Sequence, residues 1–128
     1  MLMLTVNDIH TYYGDSHILQ GVSLRVEPGQ VVCILGRNGA GKTTTIRSII
    51  GFTPPRAGKI VFNERDITRV SSDRIARTGI GLVPQGRRIF PDLTVRENLT
   101  LAARMLRKNS GGWDLERLYE EMPRLRER

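Results

Sequence analysis

Gly36-Arg37-Asn38-Gly39-Ala40-Gly41-Lys42-Thr43 is the stretch on which the reading of this 128-residue chain turns. Its fixed positions match the Walker A phosphate-binding pattern G-x-x-x-x-G-K-[ST]. The glycines are required because backbone N–H groups must turn inward and approach phosphate oxygens closely, an approach that side chains would block. Lys42 then supplies a point charge for β- and γ-phosphates, Thr43 offers a hydroxyl to Mg²⁺, and the following helix turns the positive end of its dipole toward the anion. Four fixed positions match by accident on the order of once per 10⁴ starting points. The pattern predicts a bound nucleoside triphosphate.

The flanking residues have the order this chemistry needs. Val31-Val32-Cys33-Ile34-Leu35 is an unbroken apolar run introduced by the turn signal Pro28-Gly29, and it predicts a strand buried on both faces of a parallel sheet. After the loop, Lys42 to Ile50 reads as a helix with Ile46, Ile49 and Ile50 on one face. Gly51 closes it and Pro54-Pro55 lie beyond. A glycine-rich turn that merely carries a lysine would not need strand, loop and helix in this order.

Composition suits one core: 39% of residues are hydrophobic and 26% charged. Apolar stretches reach only about six residues, too few to span a bilayer, and Met1-Leu2-Met3-Leu4-Thr5 lacks the basic and long apolar regions of a secretory signal. A cytoplasmic location, or the cytoplasmic face of a membrane, is expected. The single Cys33, inside the apolar run, is expected to be an inert buried thiol. The net charge of +7 is spread out, with no long basic run and no interleaved aromatic platform. That favours a solvated surface over a nucleic-acid interface.

Along the chain, Leu2, Leu4 and Val6 alternate with Met3, Thr5 and Asn7, and Val22, Leu24 and Val26 alternate after a loop around Gly14-Asp15. Two strands of a small antiparallel layer fit this period, with a third at Lys59-Ile60-Val61-Phe62. Ser71-Ser72 can cap a short helix through Arg77, ended by Gly79, and Ile80-Gly81-Leu82-Val83 predicts another buried strand, stopped by Pro84-Gln85. Thr94 and Glu97 have capping-box spacing ahead of a helix whose Val95, Leu99, Ala102 and Leu106 share one face. Asn109-Ser110-Gly111-Gly112 reads as a linker, and a last amphipathic segment places Leu115, Leu118, Tyr119 and Met122 together before Pro123.

These residues resemble a family, the ATP-binding subunits of ABC transporters. The likeness runs from Tyr13-Gly14 through Leu19-Gln20-Gly21-Val22-Ser23-Leu24 to the phosphate loop. It resumes at Gly79-Ile80-Gly81-Leu82-Val83-Pro84-Gln85, similar to the strand entering that family's Q-loop, and at Phe90-Pro91-Asp92-Leu93-Thr94-Val95-Arg96-Glu97-Asn98-Leu99. Gly86-Arg87-Arg88-Ile89-Phe90 most resembles the ATPases of branched-chain amino acid importers, with relatives serving urea or short amides similar there. The resemblance implies an α/β fold, a P-loop NTPase with an antiparallel β layer and the start of a helical subdomain, incomplete. Residues 1–93 would form the N-terminal part of the ATPase core, with A-loop, Walker A and Q-loop, and 94–128 the truncated start of the helical subdomain.

It also implies roles. ATP and Mg²⁺ are the expected cofactors. Tyr13 resembles the A-loop aromatic that stacks on adenine, with Tyr12 as its rival. Gly36, Asn38, Gly39, Ala40, Gly41, Lys42, Thr43 and Thr44 would contact the nucleotide, and Thr43 and Gln85 the metal. Lys42 and Gln85 would serve catalysis, Gln85 by reaching the attacking water. Transmembrane permease subunits would dock at Gly86-Arg87-Arg88-Ile89-Phe90, unless Phe90 is tucked into the domain's own core. A second ATP-binding subunit, identical or not, would complete the nucleotide sandwich, a periplasmic or extracellular binding protein would act indirectly, and no nucleic acid is expected. Peripheral placement on the cytoplasmic face of the plasma membrane follows.

The family's Leu-Ser-Gly-Gly-Gln signature, its second apolar strand ending in Asp-Glu and its switch histidine are not in this sequence. Ser110-Gly111-Gly112 lies too soon after Gln85 and in the wrong context, and His10 and His17 precede the loop. The chain therefore reads as an N-terminal fragment able at most to bind nucleotide alone. Rival readings are a GTPase, a nucleic-acid repair ATPase of the same family, and a non-catalytic nucleotide-binding remnant. For the GTPase, D-x-x-G and N/T-K-x-D motifs are not found after Thr43.

Overall fold

The computed structural model describes residues 3–86, 88–105 and 114–127, the side chains of 102–105 excepted. The chain divides into two compact units, Met1–Ile80 and Gly81–Arg128. The first unit is a four-stranded antiparallel sheet in the order β2-β1-β3-β4. Its strands are β1 (Leu4–Tyr13), β2 (Ser16–Val26), β3 (Ala57–Phe62) and β4 (Arg65–Asp66), and its helices are α1 (Lys42–Ile49) and α2 (Ser72–Arg77). Gly14 and Asp15 form the tight β1–β2 connection, as the sequence predicts. Val6, Ile9, Leu19, Ile49, Ile60, Ile67 and Ile75 make one buried cluster, and each fully buried aliphatic side chain contributes about 1.5–3 kcal/mol.

The alternation read from Leu4 and Val6 does not run through β1. Its register slips between Val6 and Ile9, where Asp8 takes φ 48°, and Ile9 and Thr11 then continue on the buried side. This is a β-bulge, and the neighbouring strand is built around it: a Cβ on Gly58 would stand 2.2 Å from the Asp8 carbonyl oxygen. Gly58→Ala, at φ 89°, is expected to cost about 2 kcal/mol or more, because backbone cannot yield as a side chain can. Urea denaturation with an unchanged midpoint would contradict this.

Helix α1 meets the sheet through Ile49 in the core cluster and through a polar contact. Thr44, Thr45, Ser48 and Ile49 are its buried residues, and Thr11 Oγ1 meets Ser48 Oγ at 2.9 Å in the interior. The expected Ile46-Ile49-Ile50 face is corrected accordingly: Ile49 and Ile50 are buried, but Ile46 is 38% exposed. The close of the helix follows expectation, with Phe52 N–H donating to Arg47 O and Gly51 N–H to Ser48 O, the paired bonds of a Schellman ending.

Two predicted strands do not form. Residues 31–35 and 80–83 make no ladder, and Val31, Leu35 and Val83 are about nine-tenths exposed. A parallel strand is buried by strands on both sides and helices on both faces, and the only sheet among the described residues is the antiparallel one. For the same reason Cys33 is exposed rather than buried.

Past β4, Thr68 donates to Asp66 Oδ1 from its hydroxyl at 2.6 Å and from its N–H at 2.9 Å, and Lys59 Nζ lies 3.5 Å from Oδ2. Bonding from Thr68, then the Lys59 charge, holds the Asp66 carboxyl below its ordinary 3.8. The unfolded chain thus takes up this proton first as pH falls, so the stabilisation is complete above pH 3.8 and is lost as pH drops through the lower folded value. Melting temperature followed downward from about pH 6 should fall less in Asp66→Asn than in the parent; parallel curves would contradict the assignment. In α2, Ser71 is the N-cap residue as expected, but its hydroxyl bonds the Asp73 carboxylate and keeps that carboxyl low, with no side-chain bond to the helix N–H groups.

The second unit contains α3 (Val95–Met105), α4 (Leu115–Glu121) and a 3₁₀ turn at Pro123–Leu125. The capping box forms: Glu97 Oε2 accepts from Thr94 N–H at 2.8 Å, and Thr94 Oγ1 accepts from Glu97 N–H at 3.2 Å. Val95 and Leu99 are half-buried; Leu106, the Ala102 side chain and the linker at 109–112 lie outside the described residues. Asp114 caps α4 by accepting from Arg117 N–H at 2.8 Å. Leu115, Leu118 and Tyr119 are half-buried there, while Met122, past the helix end, is 55% exposed.

Candidate functional site

The phosphate-loop residues are gathered at the N-terminus of α1. Gly41 precedes the helix at φ 90°, ψ 4°, and a Cβ there would lie 2.7 Å from Leu19 Cδ2, so only glycine lets the loop turn so close to β2. Ala40 N–H donates to Arg37 O at 3.1 Å, which closes the turn through the exposed Asn38 and Gly39. The Lys42 ammonium reaches back over the loop, donating to Gly36 O at 2.7 Å and Arg37 O at 2.8 Å. Thr45 anchors the other side: its N–H and its hydroxyl both donate to Gly41 O, at 2.8 and 3.0 Å. Sequence reading did not single out Thr45, although a third threonine one turn into a phosphate-binding helix is a visible signal.

Electrostatics at this helix end are one-sided. The first turn of α1 has no acidic side chain, so the Lys42 charge and the leading N–H groups act without a competing carboxylate. Thr43 is exposed at the first turn. Its hydroxyl, like the Gln85 carboxamide, is a neutral oxygen donor of the kind Mg²⁺ accepts beside phosphate and water oxygens. Among the described residues no three His, Cys, Asp or Glu side chains gather as a metal site. The Thr44 side chain is buried, and its N–H remains part of the helix end.

The two candidate aromatics differ in their surroundings. Tyr12 stacks on His17 at 4.1 Å with the rings 6° from parallel, and the Arg56 guanidinium lies over its ring at 4.5 Å. One face holds one partner at such distances, so both faces of Tyr12 are occupied. Tyr13, at the end of β1, is 44% exposed. Hydrogen bonding with Thr53 and then Thr44, aided by the Arg47 guanidinium, holds its phenol below the ordinary value of 10. Those bonds tie the Tyr13 hydroxyl to the first turn of α1 and the segment after it. Tyr13 and the phosphate loop both belong to the first unit.

Gln85 lies at an exposed bend of the second unit. After it, Ile89 is 70% and Phe90 56% exposed, beside the exposed Arg88, while Arg87 lies outside the described residues. Asn98, given no role by the sequence although it lies in the stretch resembling the family, binds the backbone of this segment through its carboxamide: Oδ1 accepts from Phe90 N–H at 3.0 Å and Nδ2 donates to Phe90 O at 3.1 Å. An asparagine in the first turns of a helix, where its propensity is poor, was the available signal.

A family model described as ABC transporter matches residues 19–127. The chain is 36% identical over 126 residues to the high-affinity branched-chain amino acid transport ATP-binding protein BraG of Pseudomonas aeruginosa, across 98% of this chain and 54% of that protein. It is 41% identical over 110 residues to the Nod factor export ATP-binding protein I of Rhizobium etli, across 86% of this chain and 34% of that one. A solved ATP-binding subunit of an ABC transporter superposes with a TM-score of 0.76 at 33% identity, covering 98% of this chain and 50% of its own. The chain spans about half the length of the relatives it matches, or less. With the loop geometry and a family match over most of its residues, the chain belongs to the ABC transporter ATP-binding family.

Proposed function

We propose that this chain supplies the nucleotide-binding part of an ABC importer ATPase, holding Mg²⁺·ATP between the loop at 36–43 and the ring of Tyr13. The observation that carries the reading is the Walker A loop turned onto the N-terminus of α1 with the Lys42 ammonium over its carbonyls. Lys42 exchanges those carbonyls for β- and γ-phosphate oxygens, and the leading N–H groups of α1 bind the remainder of the charge. Bound Mg²⁺ would neutralise charge on the phosphates, with the Thr43 and Gln85 oxygens as its protein ligands. Gln85 also orients the attacking water, and a second ATP-binding subunit completes the sandwich. Titration with ATP against GTP tests the site: ATP binding with tolerance of GTP fits an aromatic stack, whereas rejection of ATP would favour a GTPase.

Branched-chain amino acids are the proposed cargo. The likeness to BraG and the residues after Gln85 support that reading, and urea or short amides are the alternative cargo. The likeness to a Nod factor exporter is of the same order, so cargo is decided by the subunits that span the membrane. Uptake of labelled leucine, urea and acetamide by cells with and without the gene would separate these readings. No helix among the described residues is long and apolar enough to cross a membrane, and peripheral attachment at the cytoplasmic face, through permease subunits, is the placement proposed. The permease docks on residues 86–90, where exposed Ile89 and Phe90 sit beside arginine. Phe90→Ala is expected to weaken co-purification with the permease about ten-fold while leaving ATP affinity unchanged. Equal loss of both would sink the docking assignment.

A further inference from the structure

We propose that Asn98 is the positioning residue of the partner-facing loop, holding Ile89 and Phe90 in a preformed arrangement before the permease arrives. The inference rests on the docking role just given to residues 86–90. Asn98 pairs with the Phe90 peptide in both directions, accepting from its N–H at 3.0 Å and donating to its carbonyl at 3.1 Å. The same Nδ2 reaches Leu93 O at 3.1 Å and Thr94 O at 3.0 Å, so its two protons are shared among three carbonyls. Leu93 N–H donates to Phe90 O at 3.2 Å and closes the turn from within. One side chain on α3 thereby ties down both ends of the 90–94 segment.

The base from which Asn98 acts is itself fixed. The Thr94–Glu97 capping box sets the first turn of α3, and Asn98 N–H donates to Thr94 O at 3.0 Å. Phe90 is 56% exposed although its own peptide is bonded in both directions, and the exposed Ile89 precedes it directly. An exposed aromatic on a rigid backbone is what a docking contact requires, since a loop ordered only on binding loses affinity to the entropy of ordering. Arg88, exposed and next in the chain to Ile89, adds positive charge beside the pair. The matching permease segment is therefore apolar on one face and acidic at its edge.

The test uses the complete subunit with its permease. In the free subunit, Asn98→Ala should raise the exchange rate of the Phe90 amide proton about ten-fold or more, with the α1 amides unchanged. With the permease, Asn98→Ala should weaken assembly about ten-fold and leave ATP affinity within about two-fold. Adding Asn98→Ala to Phe90→Ala should then weaken assembly little further, because Asn98 acts through the residue already removed. Additive losses, or an unchanged Phe90 exchange rate, would overturn the positioning role. If Phe90→Ala leaves assembly intact, the docking assignment fails and takes this inference with it. If Phe90→Ala weakens assembly and Asn98→Ala does not, only the inference fails. Should Asn98→Ala misfold, shown by lost ATP binding, the isosteric Asn98→Asp replaces it in the assembly comparisons, because it lacks the Nδ2 donors to Phe90 O, Leu93 O and Thr94 O, and the larger Asn98→Leu, which lacks donor and acceptor alike, replaces it in the Phe90 exchange measurement.

Discussion

Lys42→Ala is expected to lower the affinity for Mg²⁺·ATP by at least about ten- to hundred-fold, the loss that follows from removing a charged hydrogen-bond donor worth about 1.5–3 kcal/mol. The ammonium stands over the loop through Gly36 O and Arg37 O, so its removal also frees two loop carbonyls and loosens the cradle. Arginine in its place should not restore binding, since a planar fork does not fit where a compact point charge is needed. Calorimetric titration of the parent and both variants provides the measurement. Affinity within a factor of two of the parent in Lys42→Ala would remove the phosphate loop as the nucleotide site.

The second large effect belongs to the adenine end. Tyr13→Ala should weaken ATP binding about 5- to 150-fold, the range for loss of a base–aromatic stack worth about 1–3 kcal/mol. Tyr13→Phe should remain close to the parent, because the ring stays and only the hydroxyl bonds with Thr53 and Thr44 are lost. Tyr12→Ala should leave ATP affinity unchanged, because His17 and Arg56 already occupy that ring. The three variants discriminate between the adjacent tyrosines. A loss in Tyr12→Ala with none in Tyr13→Ala would reverse their assignment.

Much of the site was legible because it is local. The Walker A spacing, the ending at Gly51 and the Thr94–Glu97 box each concern bonds made within a few residues, and all three are in the structure. Asn98 escaped because its partners at Phe90 and Leu93 belong to no pattern that periodicity detects. The bulge at Asp8 escaped for a similar reason: its accommodation depends on Gly58, fifty residues further along. Hydrophobicity misled at 31–35 and at 80–83. Apolar character predicts that a segment needs cover, not that the cover lies among its neighbours in the chain.

By itself the sequence determined the phosphate loop, the helix it feeds, the β1–β2 hairpin and the membership of a nucleotide-binding family, because glycine spacing, capping and alternation are settled by short-range sterics and hydrogen bonds. Only the tertiary structure decided which face of α1 is buried, that the Tyr12 ring is engaged by His17 and Arg56, and where β1 breaks its alternation. Those outcomes depend on atoms brought together from distant strands: Ser48 against Thr11, Arg56 over Tyr12, and Gly58 beneath Asp8.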